Sequence, residues 1–272
     1  MAKNGTSKKV RPALFKHQIY TNMAINTSLK EEVYYRLGDQ AIDFDNMAPL
    51  LTNSFLHKTT HSAGHDLRSP LFVIRSYSHL LQKTQEKDRL QRGFKLMEEA
   101  TYRMEQTIND FVGLIDIYTV PFPEQEMVSF ESAYDAMRFE LSDLIDTYEP
   151  TITCNFERLP QAYFNEKKLV EVMTYLVDNA IRHNSEEQDL RIVVSSQEVD
   201  GNVVLTVRDN GKGIESDKEK AKIKDPFYSY SDYEGCTGMG LAKVQAIAQA
   251  SKNKFHIKSE KDKYTICHFV FA

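Results

Sequence analysis

A chain of 272 residues is long enough for one large domain or two ordinary ones. Its 41% hydrophobic and 27% charged residues and net charge of −5 are those of a soluble protein, with no global attraction to nucleic acid or an anionic membrane. No apolar run approaches the roughly 20 residues of a membrane span, no signal peptide stands at the start, and the sparse cysteines Cys154, Cys236 and Cys267 fit reduced thiols in a cytoplasmic protein.

Residues 1–46 are the least readable: a basic start, then "LKEEVYYRL", which could form a short helix without evident chemistry. Residues 47–119 read as a helical hairpin. In its first arm Leu67, Leu71, Ile74, Ser78 and Leu81 recur at alternating steps of four and three, and "KTQEKDR" follows as a charged loop. In the second arm Leu90, Phe94, Met97, Thr101, Met104, Ile108, Phe111, Ile115 and Tyr118 keep the same spacing over about four heptads, a coiled-coil-like seam. Two helices cannot cover such seams alone, so the expected solution is a second copy of the hairpin and a dimeric four-helix bundle.

The first arm contains Pro70, which costs an interior helix position roughly 3 kcal/mol. Either the helix ends at Ser69 or it bends there. His65 lies about 200° around the helix from Leu67, so it turns away from the seam, with Asp66 beside it and Arg68 and Ser69 on its own face. An incidental surface histidine is the plain alternative, and a bend at Pro70 argues for a functional one.

"VPFPEQE", 120–126, reads as a linker with two prolines, and an α+β domain is expected from 127 to 272: helices on one face of a mixed sheet. "SAYDAMRFELSDLIDTY", "EKKLVEVMTYLVDNAIRHN" and "MGLAKVQAIAQASK" have helical periodicity. "TITCNFE", "LRIVVSSQEV", "NVVLTVRDN", "KFHIKSE" and "YTICHFVF" read as strands, the second and third joined at Asp200-Gly201.

Three segments of this domain carry possible chemistry. In "VRDNGKGI" a strand runs into Asp209, whose carboxylate could accept from an exocyclic amine, and Gly211 and Gly213 would let backbone pass beneath a flat ring; a simple turn is the alternative. "GCTGMGLA" leads glycines into a helix start, an arrangement suited to an anion. Between them residues 215–234 read as a long flap without structure of its own, therefore functional. In "LVDNAIRHN" Asn179 sits mid-helix among apolar residues, where its carbonyl could ligate magnesium held by a triphosphate, and Arg182 could meet phosphate oxygens.

In this order the segments resemble the sensor histidine kinases of two-component signalling over about residues 50–272: "HDLRSPL" is similar to the phosphoacceptor box, "DNAIRHN" to the asparagine box, "DNGKGI" to the first glycine box, "DPFYSY" to the phenylalanine box and "GCTGMGL" to the second glycine box. The resemblance implies a dimerisation and phosphotransfer hairpin followed by an ATP-binding sandwich of the class shared with gyrase, heat-shock-protein-90 chaperones and MutL. It implies that His65 is autophosphorylated from ATP with Asp66 as general base, and that the phosphoryl group passes to an aspartate of a response-regulator receiver domain. Ser69 would orient water in a phosphatase reaction. It implies Mg2+ at Asn179 and a nucleotide site of Asn179, Arg182, His183, Asp209, Gly211, Gly213, Ile214, Phe227, Gly235, Thr237, Gly238, Met239, Gly240 and Leu241. The sequence departs from the family pattern at Tyr175, where a second asparagine is usual, at Asn165, where an acid is usual, and at Asp66, where glutamate is more frequent. Tyr175 keeps open a second reading, a phosphotransfer or scaffold protein that no longer turns over ATP.

Overall fold

The structure, a computed structural model, describes residues 53–184, 189–228 and 237–272, with side chains from Thr59 onward. Residues 1–46, Gly235 and Cys236 lie outside the described residues, as does the end of the 215–234 segment.

α1 (Asn53–Leu81) and α2 (Lys87–Thr119) form the hairpin. α1 runs unbroken through Pro70, so the helix does not end at Ser69. Pro70 is buried on the side of α1 that also carries Thr59 and Ala63. The buried residues of α2 are Gly93, Ala100, Thr107 and Leu114, one heptad apart. A methyl on Gly93 would lie 2.6 Å from Leu81, so small side chains let the two helices approach. The larger row expected as the seam lies to one flank, and Phe94 and Ile108 remain 60% and 47% exposed in the single chain. An apolar row left open beside a packed one is what a further helix pair would cover.

The second part is a sheet with helices on one face. Its strands are β1 (Glu126–Ser129), β2 (Thr151–Asn155), β3 (Gln161–Phe164), β4 (Arg191–Val199), β5 (Asn202–Asp209), β6 (Lys254–Glu260) and β7 (Tyr264–Phe271). Five of them are ordered β2-β4-β5-β7-β6, and β1 pairs with β3 in a separate ribbon. β2 runs parallel to β4 and the other pairs are antiparallel. Asp200 and Gly201, both at positive φ, make the tight turn between β4 and β5.

Helices α3 (Phe130–Glu140), α4 (Ser142–Tyr148), α5 (Glu166–Arg182), α6 (Asp217–Lys222) and α7 (Gly240–Ala250) complete the domain. The single helix expected over "SAYDAMRFELSDLIDTY" is two, because the backbone leaves helical geometry at Leu141. The apolar face of α5, from Leu169 to Ile181, packs with α3 and α7 on the inner sheet residues Ile192, Val194, Leu205, Cys267 and Phe269. Phe164, delivered by the β1–β3 ribbon, meets Phe269 and Phe271 edge-on at 5.6 and 5.2 Å. Residue 126, assigned to the linker in the sequence, is the first residue of β1. The 215–234 segment holds α6, whose start is fixed by a reciprocal Ser216–Glu219 capping box.

Candidate functional site

A cavity of about 580 Å³ opens between α5, the end of β5, the start of α7 and one face of α2. Of the residues singled out in the sequence, Asn179, Arg182, His183, Asp209, Gly213, Ile214, Thr237, Gly238, Met239, Gly240 and Leu241 line it. Three segments distant in sequence therefore converge on one space, and α2 brings a fourth wall.

Asp209 ends β5 on the floor of the cavity, 8% exposed. Burial pushes its carboxyl up to about 6, against the backbone hydrogen bonds of Gly211 and Thr265, which pull the other way. The Gly211 amide donates to Asp209 Oδ1 at 2.8 Å. The loop that follows is held on both sides: the Lys212 amide donates to His183 O at 3.3 Å and Lys212 O accepts from the Asp262 amide at 2.6 Å. Gly213 has φ +61, and a Cβ there would stand 2.1 Å from Glu260 O, so this position admits no side chain. Gly211 lies beneath the cavity rather than in its wall, where a Cβ would meet Asp209 and His183 O at 3.0 Å. A flat ring above this loop would have backbone on one side and a carboxylate at its edge.

The opposite end is built for negative charge. Gly238, at φ +68, passes so close to Tyr228 O that a Cβ would stand 2.7 Å away. α7 begins immediately after it without a side-chain cap on its first amides. Lys243, one turn into α7, is 7% exposed. Burial alone would lower the Lys243 pKa, but Tyr175 and Asp110 beside it leave it raised.

Asn179 stands on the last turns of α5, beside the cavity. Its neighbour Asp178 binds Arg182 through both oxygens, at 2.8 and 3.0 Å, and burial, countered in part by Arg182, raises the Asp178 pKa. Burial lowers the pKa of His183, where α5 ends, and Lys212 and Arg182 add to the effect. Among the described residues no group of three or more His, Cys, Asp or Glu could hold a metal unaided. A single amide oxygen with neighbouring polar groups fits a magnesium ion that takes its other ligands from phosphate and water.

Phe227 is not brought into the cavity. Its ring lies against Phe111 of α2, 6.5 Å between centroids, and Tyr228 takes the place at the wall. Tyr175 also lines the cavity, with the Lys243 ammonium 5.2 Å from its ring centre. Asn165 caps α5, accepting from the Lys168 amide at 3.1 Å while donating to Glu124 O at 2.9 Å; that is a structural duty an acid is not required for. Sequence reasoning missed Lys212 and, on α2, Gln106, Asn109 and Asp110, all of which line the cavity. Their polar pattern on a helix reads as a solvated face, and only the packing of α2 on α7 brings them in.

His65, Asp66 and Ser69 are on α1, and no residue of α1 lines the cavity. His65 is exposed, and its Nδ1 is 3.2 Å from Asp66 Oδ1. Ser69 is exposed one turn further along.

Two family models match in tandem: the His Kinase A (phospho-acceptor) domain over residues 56–114 and the histidine kinase-, DNA gyrase B- and HSP90-like ATPase over 164–272. Among curated relatives the chain is 26% identical over 221 residues to the methanogenesis regulatory histidine kinase FilI of Methanothrix harundinacea, covering 80% of this chain and 24% of the relative. It is 26% identical over 224 residues to the sensor protein CiaH of Streptococcus pneumoniae, covering 75% and 47%. The phosphate regulon sensor protein PhoR of Haemophilus influenzae is 26% identical over 235 residues, covering 85% and 54%. The chain thus spans about a quarter to half the length of these relatives. In fold it is similar to the histidine kinase AdeS of Acinetobacter baumannii, with TM-score 0.57 at 20% identity over 76% of this chain and 97% of that one. It is also similar to the histidine kinase ThkA solved in complex with the response regulator protein TrrA, with TM-score 0.65 at 16% identity over 80% and 62%. A phosphoacceptor hairpin and a gyrase-type ATP-binding domain, in that order on one chain, make this protein a member of the histidine kinase family.

Proposed function

We propose that the chain autophosphorylates His65 from ATP and passes the phosphoryl group to an aspartate of a response-regulator receiver domain, working as a homodimer through the open row of the hairpin. The observation that carries this reading is the pairing of an exposed His65–Asp66 couple with a cavity that has a buried carboxylate at one end and an uncapped helix start at the other.

Asp66 accepts from Nδ1–H of His65, which fixes the tautomer and leaves the Nε2 lone pair free as nucleophile. As Nε2 bonds to the terminal phosphorus, the bond to the bridging oxygen breaks and ADP leaves. The positive charge that develops on the ring is met by the Asp66 carboxylate, which takes the Nδ1 proton. Asp209 orients the adenine amine, Gly213 and Gly238 keep the walls close, and α7 meets the phosphates. Magnesium, held by Asn179 and phosphate oxygens, would neutralise charge on the leaving group. Ser69 is placed to position a water on a docked aspartyl-phosphate, which would give the chain a phosphatase activity.

The Leu81–Gly93 contact sets the hairpin register. The same number of residues along each antiparallel helix from that contact leads to His65 on α1 and Asn109 on α2. The cavity and the phosphoacceptor therefore stand at about the same height on the hairpin but on different helices, and transfer requires the ATP domain to travel around the hairpin rather than along it.

The test is incubation with γ-labelled ATP and magnesium. Acid-labile, base-stable label on the parent, absent from His65→Gln while ATP binding persists, is the expected result. Label that survives His65→Gln refutes the assignment, and an unlabelled parent favours the scaffold reading that Tyr175 keeps open.

A further inference from the structure

Asp110 belongs to the hairpin, yet it lies in the wall of the nucleotide cavity. Its two carboxylate oxygens are both engaged by the ATP domain. Lys243 Nζ donates to Oδ1 at 2.6 Å, and the Thr237 hydroxyl donates to Oδ2. Thr237 is in the second glycine box, directly before Gly238, and Lys243 is on the first turn of α7. These donors sit where the cavity is otherwise fitted for phosphate: a glycine-lined approach and uncapped helix amides. A carboxylate presents two oxygens sharing one negative charge, as a phosphoryl group does toward two donors.

We propose that Asp110 occupies the phosphate end of the nucleotide site, so that a nucleoside triphosphate and the α2 helix compete for Thr237 and Lys243, and triphosphate binding releases the ATP domain from the hairpin. The inference rests on the ATP reading given above and adds its regulation.

A triphosphate entering with Asp110 in place would bring negative charge against its carboxylate, and moving α2 away relieves that repulsion. Two further observations support the proposal. Apart from Ile117, which also reaches the main core, the other contacts of α2 with the ATP domain lie outside that core: Leu114, Met239 and Ala246 form a separate cluster, Phe111 meets Phe227, and Tyr118 donates to Gln249 at 3.2 Å. Finally, His65 is on the other helix, so a domain held on α2 by Asp110 is held away from its nucleophile. The ligand that the reaction needs would itself unfasten the contact that prevents it. A closed state of this kind lowers apparent affinity in proportion to the fraction of open molecules.

The experiment is calorimetric titration of the 272-residue chain and its Asp110→Asn variant with a non-hydrolysable ATP analogue plus magnesium, and separately with adenosine, with hydrogen exchange of α2 followed in parallel. Asn keeps the shape and removes the charge. The expected result is about tenfold tighter analogue binding by the variant, unchanged adenosine binding, and faster exchange over residues 106–114 of the parent when the analogue is added. Unchanged or weaker analogue binding by Asp110→Asn overturns the proposal, weaker binding indicating that Asp110 assists the metal instead. An equal gain for adenosine also overturns it, since the carboxylate would then be loosening the whole cavity rather than competing with phosphate. Absence of analogue and adenosine binding in both proteins overturns the ATP reading itself, and this inference with it.

Discussion

His65 Nδ1 faces Asp66 Oδ1 at 3.2 Å while the ring as a whole stays exposed. One ring nitrogen is thereby committed to a carboxylate, and the other is left to a reaction partner. Asp66→Asn keeps a polar neighbour but removes the proton acceptor and the charge opposite the developing imidazolium. Autophosphorylation is expected to slow by about 10²–10⁴-fold, the usual range for a general base, with nucleotide affinity unchanged. Single-turnover labelling measures the first and calorimetry the second; an unaltered rate would remove Asp66 from the chemistry.

The adenine contact should depend on pH in a defined direction. Burial raises the Asp209 carboxyl to about 6. As pH falls through that value the free protein takes up a proton there, and the acceptor for the adenine amine is lost. Adenosine affinity is expected to drop by up to about tenfold per pH unit below it. Asp209→Asn should bind about tenfold to a hundredfold more weakly at neutral pH and lose the pH dependence; a variant with the parent's profile would move the titration elsewhere.

Gly213→Ala tests whether the loop under the ring has room to spare. The added methyl would meet Glu260 O at 2.1 Å at a positive φ. A loss of about 2 kcal/mol or more is expected from strain and displacement of the β6–β7 hairpin, together with loss of nucleotide binding. Denaturant unfolding reads the stability, and a variant as stable as the parent would show that the hairpin yields.

Dimerisation is best probed on the exposed flank of α2. Phe111 is engaged with Phe227 within the chain, so changing it would disturb the ATP domain as well. Phe94 and Ile108 are open. Phe94→Asp with Ile108→Asp would place charges in the proposed interface, costing several kcal/mol, and light scattering should report a monomer. A persisting dimer mass would place the interface on another face.

Ser69→Ala should reduce the dephosphorylation rate of a purified phosphorylated regulator and leave the autokinase rate unchanged. The hydroxyl is exposed on the face of His65, where it can both donate to and accept from water. Equal decay with parent and variant would leave Ser69 only a helix position before Pro70.

Much of this architecture was legible because it rests on local pattern. The strands "KFHIKSE" and "YTICHFVF" alternate apolar and polar residues, and β6 and β7 occupy those residues. The Asp200-Gly201 turn is written in its residue types. The four-residue strands β1 and β3 escaped because such short segments carry too few repeats for a period to emerge. Ser216 and Glu219 did announce α6, and the length of the surrounding segment obscured it. In the site, Gly213 and Gly238 could be read because a positive φ and a close backbone neighbour demand glycine there, and Asp209 because it ends a strand just before the first of them. Asp110 could not, because nothing local distinguishes it from any other solvated acid until α7 packs against its helix.

The short path between the two parts governs how they move. Asn165 staples the chain at Glu124 to the start of α5, and Phe122 is already seated on Phe164, 5.5 Å between ring centres. Between that anchor and the end of α2 at Thr119 remain only Val120 and Pro121. At roughly 3.5 Å per residue such a leash cannot carry a domain far, and the proline ring stiffens half of it. What it permits is a swivel. The ATP domain works less like a cargo on a flexible string than like a gate on a post, with its reach set by its own width and its direction by the three free backbone torsions of Val120 and Pro121.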